Sequence, residues 1–347
     1  MNSQDIHSLS EFLLHAGTDY RIFDLGRGVY PVDSQTFLDI ENGKICPPHP
    51  RQQHAWFAVV FWKTNKHAHR YIWFVKLPLD EQGLLIQASR NHFLQIIVDA
   101  LGNQITGDGK QEKLPDNPYT FTPGQQQMAQ FSALTRHLLN DPKHQGVENV
   151  LHYLQTPSVI DWQQLPVQAI ADAIMDISDA TADIIISQLD QYSQPFIDTL
   201  LSSLECVSLP QKLTQFFCDK AIECSVNDSP GTLLGFLRAV SQPTFSPTVN
   251  HCINRVFDNI KQPDIDLLSV IAARHVAQLD LLTAQRFLEI AAKADAAGNY
   301  QHQLFIGLFT DLVQIPALRR TLLILARAHQ HNPDMKDALA ALFQQAG

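Results

Sequence analysis

The sequence predicts an α+β domain with a small antiparallel sheet, followed by an all-α region of stacked helix pairs, a helical repeat of the HEAT-like α-solenoid type. Three observations predict this class. Two aromatic, β-prone runs lie close together between residues 54 and 77, and a polar segment rich in glycine and proline occupies 102–124. Behind it, amphipathic helical patterns recur at intervals of about 35 residues. The predicted domains are therefore 1–115 and 125–347.

The first elements follow from short local signals. Residues 3–16 carry apolar side chains at helical spacing, and Gly17 stands where a helix would end. Gly26 and Gly28 separate two short β-prone runs, a pattern that predicts a tight hairpin. Asp33 then takes the N-cap position of a short helix.

The strongest β signal comes from HAWFAVVFWK at 54–63 and RYIWFVKL at 70–77, which a polar link of hairpin length joins. Alternate residues of the first run, Trp56 and Trp62 among them, form one apolar face, and the residues between them form another. Two apolar faces favour a central strand that is buried on both sides. The alternative is an aromatic surface that binds a partner.

Gly102 ends a predicted helix over 89–101 and begins the linker between the two predicted domains. The region behind the linker contains four candidate helix pairs, which begin near Leu209, Phe245, Asp280 and Ile315. The intervals of 36, 35 and 35 residues are typical of stacked helical hairpins. We therefore expect the repeat to be most regular over 209–347.

Charge is distributed unevenly along a chain whose net charge is −10. Residues 1–115 carry 11 basic and 12 acidic side chains, whereas residues 116–347 carry 14 and 23, so the helical region holds a net charge of −9. Binding to nucleic acid requires clustered Lys and Arg, and this chain is acidic, so nucleic acid is not an expected partner. No apolar run has the length of a membrane span, and the first residues lack the pattern of a signal peptide. We expect a cytoplasmic protein with no membrane partner.

One interval is strongly acidic. Between Lys143 and Lys212 there are nine acids and no Lys or Arg over 68 residues. Four of these acids, spaced by four, three and four residues, are Asp172, Asp176, Asp179 and Asp183. They would form one stripe on a continuous helix, but Ser178 has the pattern of an N-cap, so a turn is expected to interrupt it. Two interpretations stay open: an acidic docking surface for a protein with a basic surface, and a solvated face.

The sequence lacks the common motifs of catalysis, nucleotide binding and metal binding. G-x-x-x-x-G-K-[ST], G-x-G-x-x-G after a strand, G-x-S-x-G and H-E-x-x-H are all absent. The five cysteines form no C-x-x-C pair. The closely spaced histidines, which have no clustered acid or cysteine beside them, are His67, His69, His329 and His331. We therefore expect no catalytic residue, no metal ligand and no cofactor.

The polar residues that stand out lie in the first domain. Asp24 and Arg27 belong to FDLGR at the predicted hairpin, where such a pair is usually structural. The charged residues that close the second aromatic run are Lys76, Asp80 and Glu81. The alternative is a ligand site, in which some of these charged groups supply polar contacts and aromatic side chains line a cavity. The tryptophans of that predicted cavity are Trp56, Trp62 and Trp73.

Three segments carry a resemblance to a known family: YRIFDLGR at 20–27, WFAVVFW at 56–62 and WFVKLPLDEQGLL at 73–85. They resemble a proteobacterial family catalogued as domain-of-unknown-function family 3549. The length and the acidic, leucine-rich helical remainder extend the likeness over essentially the whole chain. The resemblance implies a bacterial cytoplasmic protein, and it carries no activity, substrate or catalytic residue over to this chain.

The sequence is compatible with two main hypotheses about function. The leading hypothesis is a non-enzymatic protein-interaction or scaffold protein, because helical-pair arrays form extended surfaces that usually bind proteins. The alternative is a small-ligand binder or an enzyme with its pocket in the first domain. RNA binding through the aromatic runs fits less well, because Lys63, Arg70 and Lys76 lie only at their ends.

Overall fold

The fold is that of a computed structural model, which describes residues 8–63, 69–106, 114–205, 207–227, 229–262, 264–328 and 332–345. The chain divides into two compact units. The first consists of Met1–Pro123 together with Gln314–Pro316, and the second of Gly124–Val313 together with Ala317–Gly347. The first unit contains a sheet, whereas the second is helical, so the predicted class of an α+β region followed by an all-α region is confirmed.

The sheet of the first unit has four antiparallel strands in the order β2-β1-β3-β4. Their bounds are β1 (Thr18–Asp24), β2 (Tyr30–Val32), β3 (His54–Lys63) and β4 (Tyr71–Pro78). The β1–β2 hairpin and the β3–β4 pair are both predicted by the sequence. The pairing register places Trp56 opposite Lys76 and Val59 opposite Trp73. This register decides which side chains share a face.

Three helices complete the first unit: α1 (Leu9–His15), α2 (Ser34–Glu41) and α3 (Gln87–Thr106). Asp33 caps α2, because its side chain accepts a hydrogen bond from the Thr36 amide at 2.9 Å. The predicted helix end at Gly102 is wrong, since α3 continues to Thr106. A glycine inside a helix costs only about 1 kcal/mol relative to alanine, so it weakens a helix without having to end it.

The segment after α3 belongs partly to the sheet. Residues 107–113 of the predicted linker lie outside the described residues. Further on, the Lys76 amide donates to the Tyr119 carbonyl at 2.7 Å, and the Phe121 amide donates to the Phe74 carbonyl at 3.2 Å. These bonds satisfy part of the open edge of β4. The first unit therefore includes the chain up to Pro123.

The core of the first unit lies on one face of the sheet. Side chains of β3 such as Phe57 and Val59 pack there with residues of the helices, including Leu9, Phe37 and Phe93. The second face of β3 is covered as well, because the other alternating residues Ala58 and Val60 are also fully buried. The strand is therefore central and buried on both sides, which the two apolar faces in the sequence favour.

A buried carboxylate connects two helices of the first unit. Glu41 at the end of α2 accepts hydrogen bonds from the Leu9 amide at 2.7 Å, the Ser10 amide at 3.1 Å and the Ser10 hydroxyl at 2.6 Å. Arg90 of α3 donates to the backbone carbonyl of Glu41. Burial raises the pKa of Glu41 above its ordinary value. The carboxylate thus supplies the acceptors that the first amides of α1 lack within their own helix.

The second unit consists of helices joined by short loops. Their bounds are α4 (Gln125–Leu139), α5 (Val147–Gln155), α6 (Val167–Ala173), α7 (Asp179–Gln188), α8 (Gln194–Ser203), α9 (Gln211–Val226), α10 (Pro230–Ala239), α11 (Pro247–Asn259), α12 (Ile265–Arg274), α13 (Leu281–Gly298), α14 (Gln303–Val313), α15 (Pro316–Arg327) and α16 (Pro333–Gln345). Four of them start close to the predicted beginnings of the helix pairs. Helices α9, α11, α13 and α15 begin at 211, 247, 281 and 316, which are 36, 34 and 35 residues apart.

The helices pack in two series. Helices α5, α7, α9, α11 and α13 each contact the next member of their series, and so do α4, α6, α8, α10 and α12. Hydrogen bonds recur at the same interval: Asn259 donates to the Ser225 hydroxyl at 2.9 Å, and Gln278 donates to the Thr244 carbonyl at 2.7 Å, each across 34 residues. Contacts between second neighbours therefore hold much of this unit together.

A fully buried histidine stands at the end of α12. The Nε2 atom of His275 lies 2.9 Å from the Leu237 carbonyl of α10. Because a carbonyl only accepts, Nε2 must carry the hydrogen, and Nδ1 is buried with no hydrogen-bond partner. Burial lowers the pKa of His275 from 6.5 to about 4. The imidazole is therefore neutral in the folded protein at neutral pH.

We expect His275 to make the protein less stable in mild acid. Its pKa is lower when folded, so its contribution is complete above pH 6.5 and is lost as the pH falls towards 4. Between pH 7 and pH 5 the loss should be about 2 kcal/mol. Urea unfolding of the wild type and of His275→Gln at both pH values measures it, since glutamine keeps a donor for Leu237 and does not titrate. Equal pH dependence of the two proteins would contradict the prediction.

Candidate functional site

A connected polar cluster lies where β1 ends and β3 begins. Asp24 is only 1% exposed, and its Oδ1 accepts a hydrogen bond from the Gly26 amide at 2.8 Å. Its Oδ2 lies 3.2 Å from Nδ1 of His49. Arg27 is buried beside them and donates from Nε to the Pro50 carbonyl at 2.9 Å. The FDLGR segment is therefore bound to the proline-rich loop that precedes β3.

His49 is the group in this cluster that chemistry could use. The Asp24 carboxylate accepts, so Nδ1 carries a hydrogen, and in the neutral ring Nε2 holds the lone pair. The ring of Tyr30 stacks on the imidazole with a centroid distance of 4.5 Å. The His49 side chain remains 24% exposed. A carboxylate behind a partly exposed histidine is an arrangement that orients a general base.

Gly26 is required by close packing. A Cβ atom at this position would lie 1.9 Å from the backbone oxygen of His49, a distance that no side chain can occupy. The glycine therefore lets the hairpin and the proline-rich loop approach closely enough for the Asp24–His49 contact to form.

Trp56 lies next to this cluster, between two cations. The Arg51 guanidinium carbon is 4.1 Å from the centroid of the Trp56 ring, and the Lys76 Nζ is 5.7 Å from it. The indole N–H donates to the Arg51 carbonyl at 3.0 Å, and Phe121 meets the ring edge to face at 4.8 Å. Two positive charges around a half-buried aromatic ring favour a planar or anionic ligand.

The three tryptophans of the predicted cavity do not come together. Trp56 and Trp62 lie on one face of β3, and Arg70 covers Trp62 at 5.6 Å from its ring centroid. Trp73 pairs with Val59 and so lies on the opposite face, where its ring packs 4.3 Å from that of Phe61. Because successive residues of a strand point to opposite faces of the sheet, one cavity cannot contain all three.

The predicted charged residues beyond Lys76 form a turn. Oδ1 of Asp80 accepts hydrogen bonds from the Gln82 amide at 2.9 Å and the Leu84 amide at 2.8 Å. Gly83 has a φ of +84°, which a residue with a side chain rarely adopts. Glu81 is exposed on this turn. Asp80 therefore stabilises the chain reversal after β4.

Among the four aspartates of the acidic interval, Asp172 is buried. It accepts from Nη1 of Arg136 at 3.0 and 3.1 Å, from the His144 amide at 2.7 Å and from Gln168 at 2.8 Å. The carboxylate links α6 to α4 and to the loop that follows α4. It belongs to the interior of the second unit, so a partner cannot reach it.

The other three aspartates are exposed and do not continue one stripe. Helix α6 ends at Ala173, and the Ser178 hydroxyl caps α7 by accepting from the Thr181 amide at 3.1 Å, so the expected turn is present. Lys143 lies 3.5 Å from Asp176, and Lys212 lies 2.6 Å from Asp183 and 3.9 Å from Asp179. Lys143 and Lys212, which stand at the two ends of the interval without Lys or Arg, thus neutralise part of its negative charge.

Sequence reasoning missed His49, Arg51 and Phe121. No motif marks these residues in the sequence. The only indication is that His49 and Arg51 stand in the proline-rich loop directly before the strongest predicted strand. Within the described ranges, no group of three or more His, Cys, Asp or Glu could hold a metal ion. His67, His329 and His331 lie outside those ranges. No described helix combines the length and apolar character needed to cross a membrane.

These features define a class: a protein with an N-terminal α+β sheet unit and a larger all-helical unit. A family model described as "Protein of unknown function (DUF3549)" matches residues 4–343, and the chain belongs to that family. No curated protein and no solved structure matches it.

We expect Gly26→Ala to destabilise the protein and to disturb the Asp24–His49 contact. The added methyl must displace backbone, which typically costs about 1–3 kcal/mol. Gly307→Ala is the matched control, because a Cβ at Gly307 of α14 meets no atom within 4 Å. It should be neutral or stabilising, as alanine is the better helix former. Chemical denaturation of both variants measures the difference, and equal stability would contradict the packing argument.

We expect Asp172→Asn to cost about 2–3 kcal/mol of stability, because it leaves Arg136 without its buried counter-charge. Asp176 lies only four residues from Asp172, but its side chain is exposed. Asp176→Asn should therefore change stability very little. Urea unfolding midpoints of the two variants test the contrast. Equal losses would show that Asp172 is not a structural ion-pair partner.

Proposed function

We propose that this chain is a non-enzymatic interaction or scaffold protein whose helical unit binds another protein. The observation that carries the proposal is the second-neighbour packing of two helix series, with helix starts 36, 34 and 35 residues apart. Such packing supports an α-solenoid, an architecture that presents long surfaces and usually binds proteins. Architecture alone does not determine function, and a binding role also requires an exposed surface that a partner can recognise.

The exposed aspartates supply one such surface. Asp179 and Asp183 are 82% and 66% exposed, and they share a single lysine, Lys212. Asp176 adds a third exposed carboxylate near Lys143. A partner with a basic surface would compete with these two lysines for the carboxylates, and charge complementarity would speed its association.

A second candidate is a small-ligand site in the first unit. Arg51 and Lys76 around Trp56 would hold an anionic or planar ligand, and His49, which contacts Asp24 of β1, lies on the same loop as Arg51. If the site is catalytic, His49 would serve as a general base through Nε2. The interaction role is preferred, because no nucleophile accompanies this histidine in the described part of the site.

We expect a protein partner to co-purify with the tagged full-length chain from its native host at close to 1:1. The triple variant Asp176→Asn, Asp179→Asn, Asp183→Asn should recover several-fold less partner, since it removes the proposed charge complementarity. The triple variant Asp19→Asn, Glu81→Gln, Asp99→Asn is the control, because it neutralises three exposed acids of the first unit. Quantitative mass spectrometry at low and raised salt measures recovery.

Each outcome of this experiment has a distinct meaning. Equal recovery with both triple variants would reject the acidic surface and leave the interaction role in place. A co-purifying small molecule with no stoichiometric protein would reject the interaction role and favour the site at Trp56.

A further inference from the structure

Helix α15 exposes apolar side chains that its own packing does not use. Its inward side chains, Leu318, Leu322 and Leu325 among them, are buried. On the outward side Leu323 and Ile324 are 40% and 50% exposed. A helix with one buried apolar face ordinarily presents polar residues on the other. Two adjacent large aliphatic side chains on the outer face therefore call for a separate explanation.

Helix α13 of the same unit provides a comparison, because other helices pack against it. Leu288 of α13 precedes Leu323 by 35 residues and is fully buried. Helix α13 contacts α11, α14 and α16, so neighbouring helices surround it. The exposure of Leu323 and Ile324 therefore marks a face of α15 that no described helix covers in this way.

The charges on this face are positive. Arg320 and Arg327 are exposed three residues before Leu323 and three after Ile324, so all four side chains follow one side of the helix. Neither arginine has an ion-pair partner among the described residues. The segment Pro316–Arg327 contains three arginines and no acid, in a chain whose net charge is −10. The third, Arg319, donates to the Val313 carbonyl at 3.1 Å.

We propose that this face of α15, formed by Arg320, Leu323, Ile324 and Arg327, binds an acidic amphipathic helix of a partner protein. The two aliphatic side chains would pack between apolar residues of that helix, and the flanking arginines would pair with its Asp and Glu. Arginine suits this role, because its planar group binds carboxylates through two hydrogen bonds. The inference rests on the proposed interaction role and adds a surface of opposite charge to the exposed aspartates.

A second copy of this chain fits the face less well. Two α15 helices related by a two-fold axis near Leu323 and Ile324 would run antiparallel across each other. Arg320 of one copy would then approach Arg327 of the other, and like charges repel. The charge pattern therefore favours a partner that is acidic at these positions.

Two synthetic peptides test the proposal with the full-length protein. Both are 18-residue amphipathic helices with the same leucine positions, flanked by Glu in one and by Lys in the other. In the Asp176→Asn, Asp179→Asn, Asp183→Asn protein, which lacks the proposed acidic surface as a second site for the Lys peptide, we expect the Glu peptide to bind about tenfold more tightly, which corresponds to about 1.4 kcal/mol. Fluorescence anisotropy at low and raised salt measures the affinities, and added salt should reduce the preference.

Three double variants assign the binding to α15. Arg320→Glu with Arg327→Glu should reverse the preference between the two peptides. Leu323→Ser with Ile324→Ser should weaken binding of the Glu peptide about tenfold, the loss expected when two aliphatic contacts are removed. The matched control is Leu281→Ser with Leu282→Ser, which changes a similarly exposed pair at the start of α13 and should leave binding unchanged. Circular dichroism checks that each variant is folded.

Several results would overturn the proposal. These are equal affinity for the two peptides, a preference that survives the charge reversal, or an equal loss in the α13 control. Light scattering that shows a wild-type dimer and a monomer after Leu323→Ser with Ile324→Ser would make a second copy the occupant instead. A co-purified partner that persists under any of these results would leave the interaction role standing and reject only the α15 surface.

Discussion

The central constraint in the first unit is that β3 must be buried on both faces. Phe57 and Val59 pack with the helices on one side, and Ala58 and Val60 are equally inaccessible on the other. A strand that is apolar at every position from Ala55 to Trp62 has no polar face to present to solvent, so other parts of the fold must cover both faces. The positions of β1, β4 and the helices follow from this requirement. The pairing register places Trp73 opposite Val59, on the other face of the sheet from Trp56, and so prevents a shared aromatic cavity.

Buried polar groups then join segments that are distant in the sequence. Asp24 binds the loop that contains His49, Glu41 caps α1, and Asp172 holds Arg136. Each carboxylate accepts several hydrogen bonds, which offsets the cost of its burial. Residues that look like functional candidates because they are charged are therefore partly structural. The polar groups that are exposed to solvent lie elsewhere, and many of them are on the outer sides of the helices.

The surfaces of the helical unit differ in charge. Exposed aspartates at the start of α7 face outward beside Lys212, whereas the outer face of α15 presents arginines around two aliphatic side chains. A protein with an acidic surface and a basic one can bring two different partners together, which is consistent with a scaffold role. The surroundings of Trp56 differ from both, because the Arg51 and Lys76 cations lie within 4.1 and 5.7 Å of the centroid of its ring.

The sequence by itself determined the elements whose signals are local. The β3–β4 pair, the caps at Asp33 and Ser178, and the starts of four helices follow from alternation, N-cap chemistry and a period of about 35 residues. Gly102 shows the limit of local signals, because a glycine weakens a helix without having to end it, and α3 continues to Thr106. Only the tertiary structure decided that Asp172 is buried while Asp179 is exposed, and that His49 meets Asp24. Those outcomes depend on contacts between residues far apart in the chain, which no local pattern encodes.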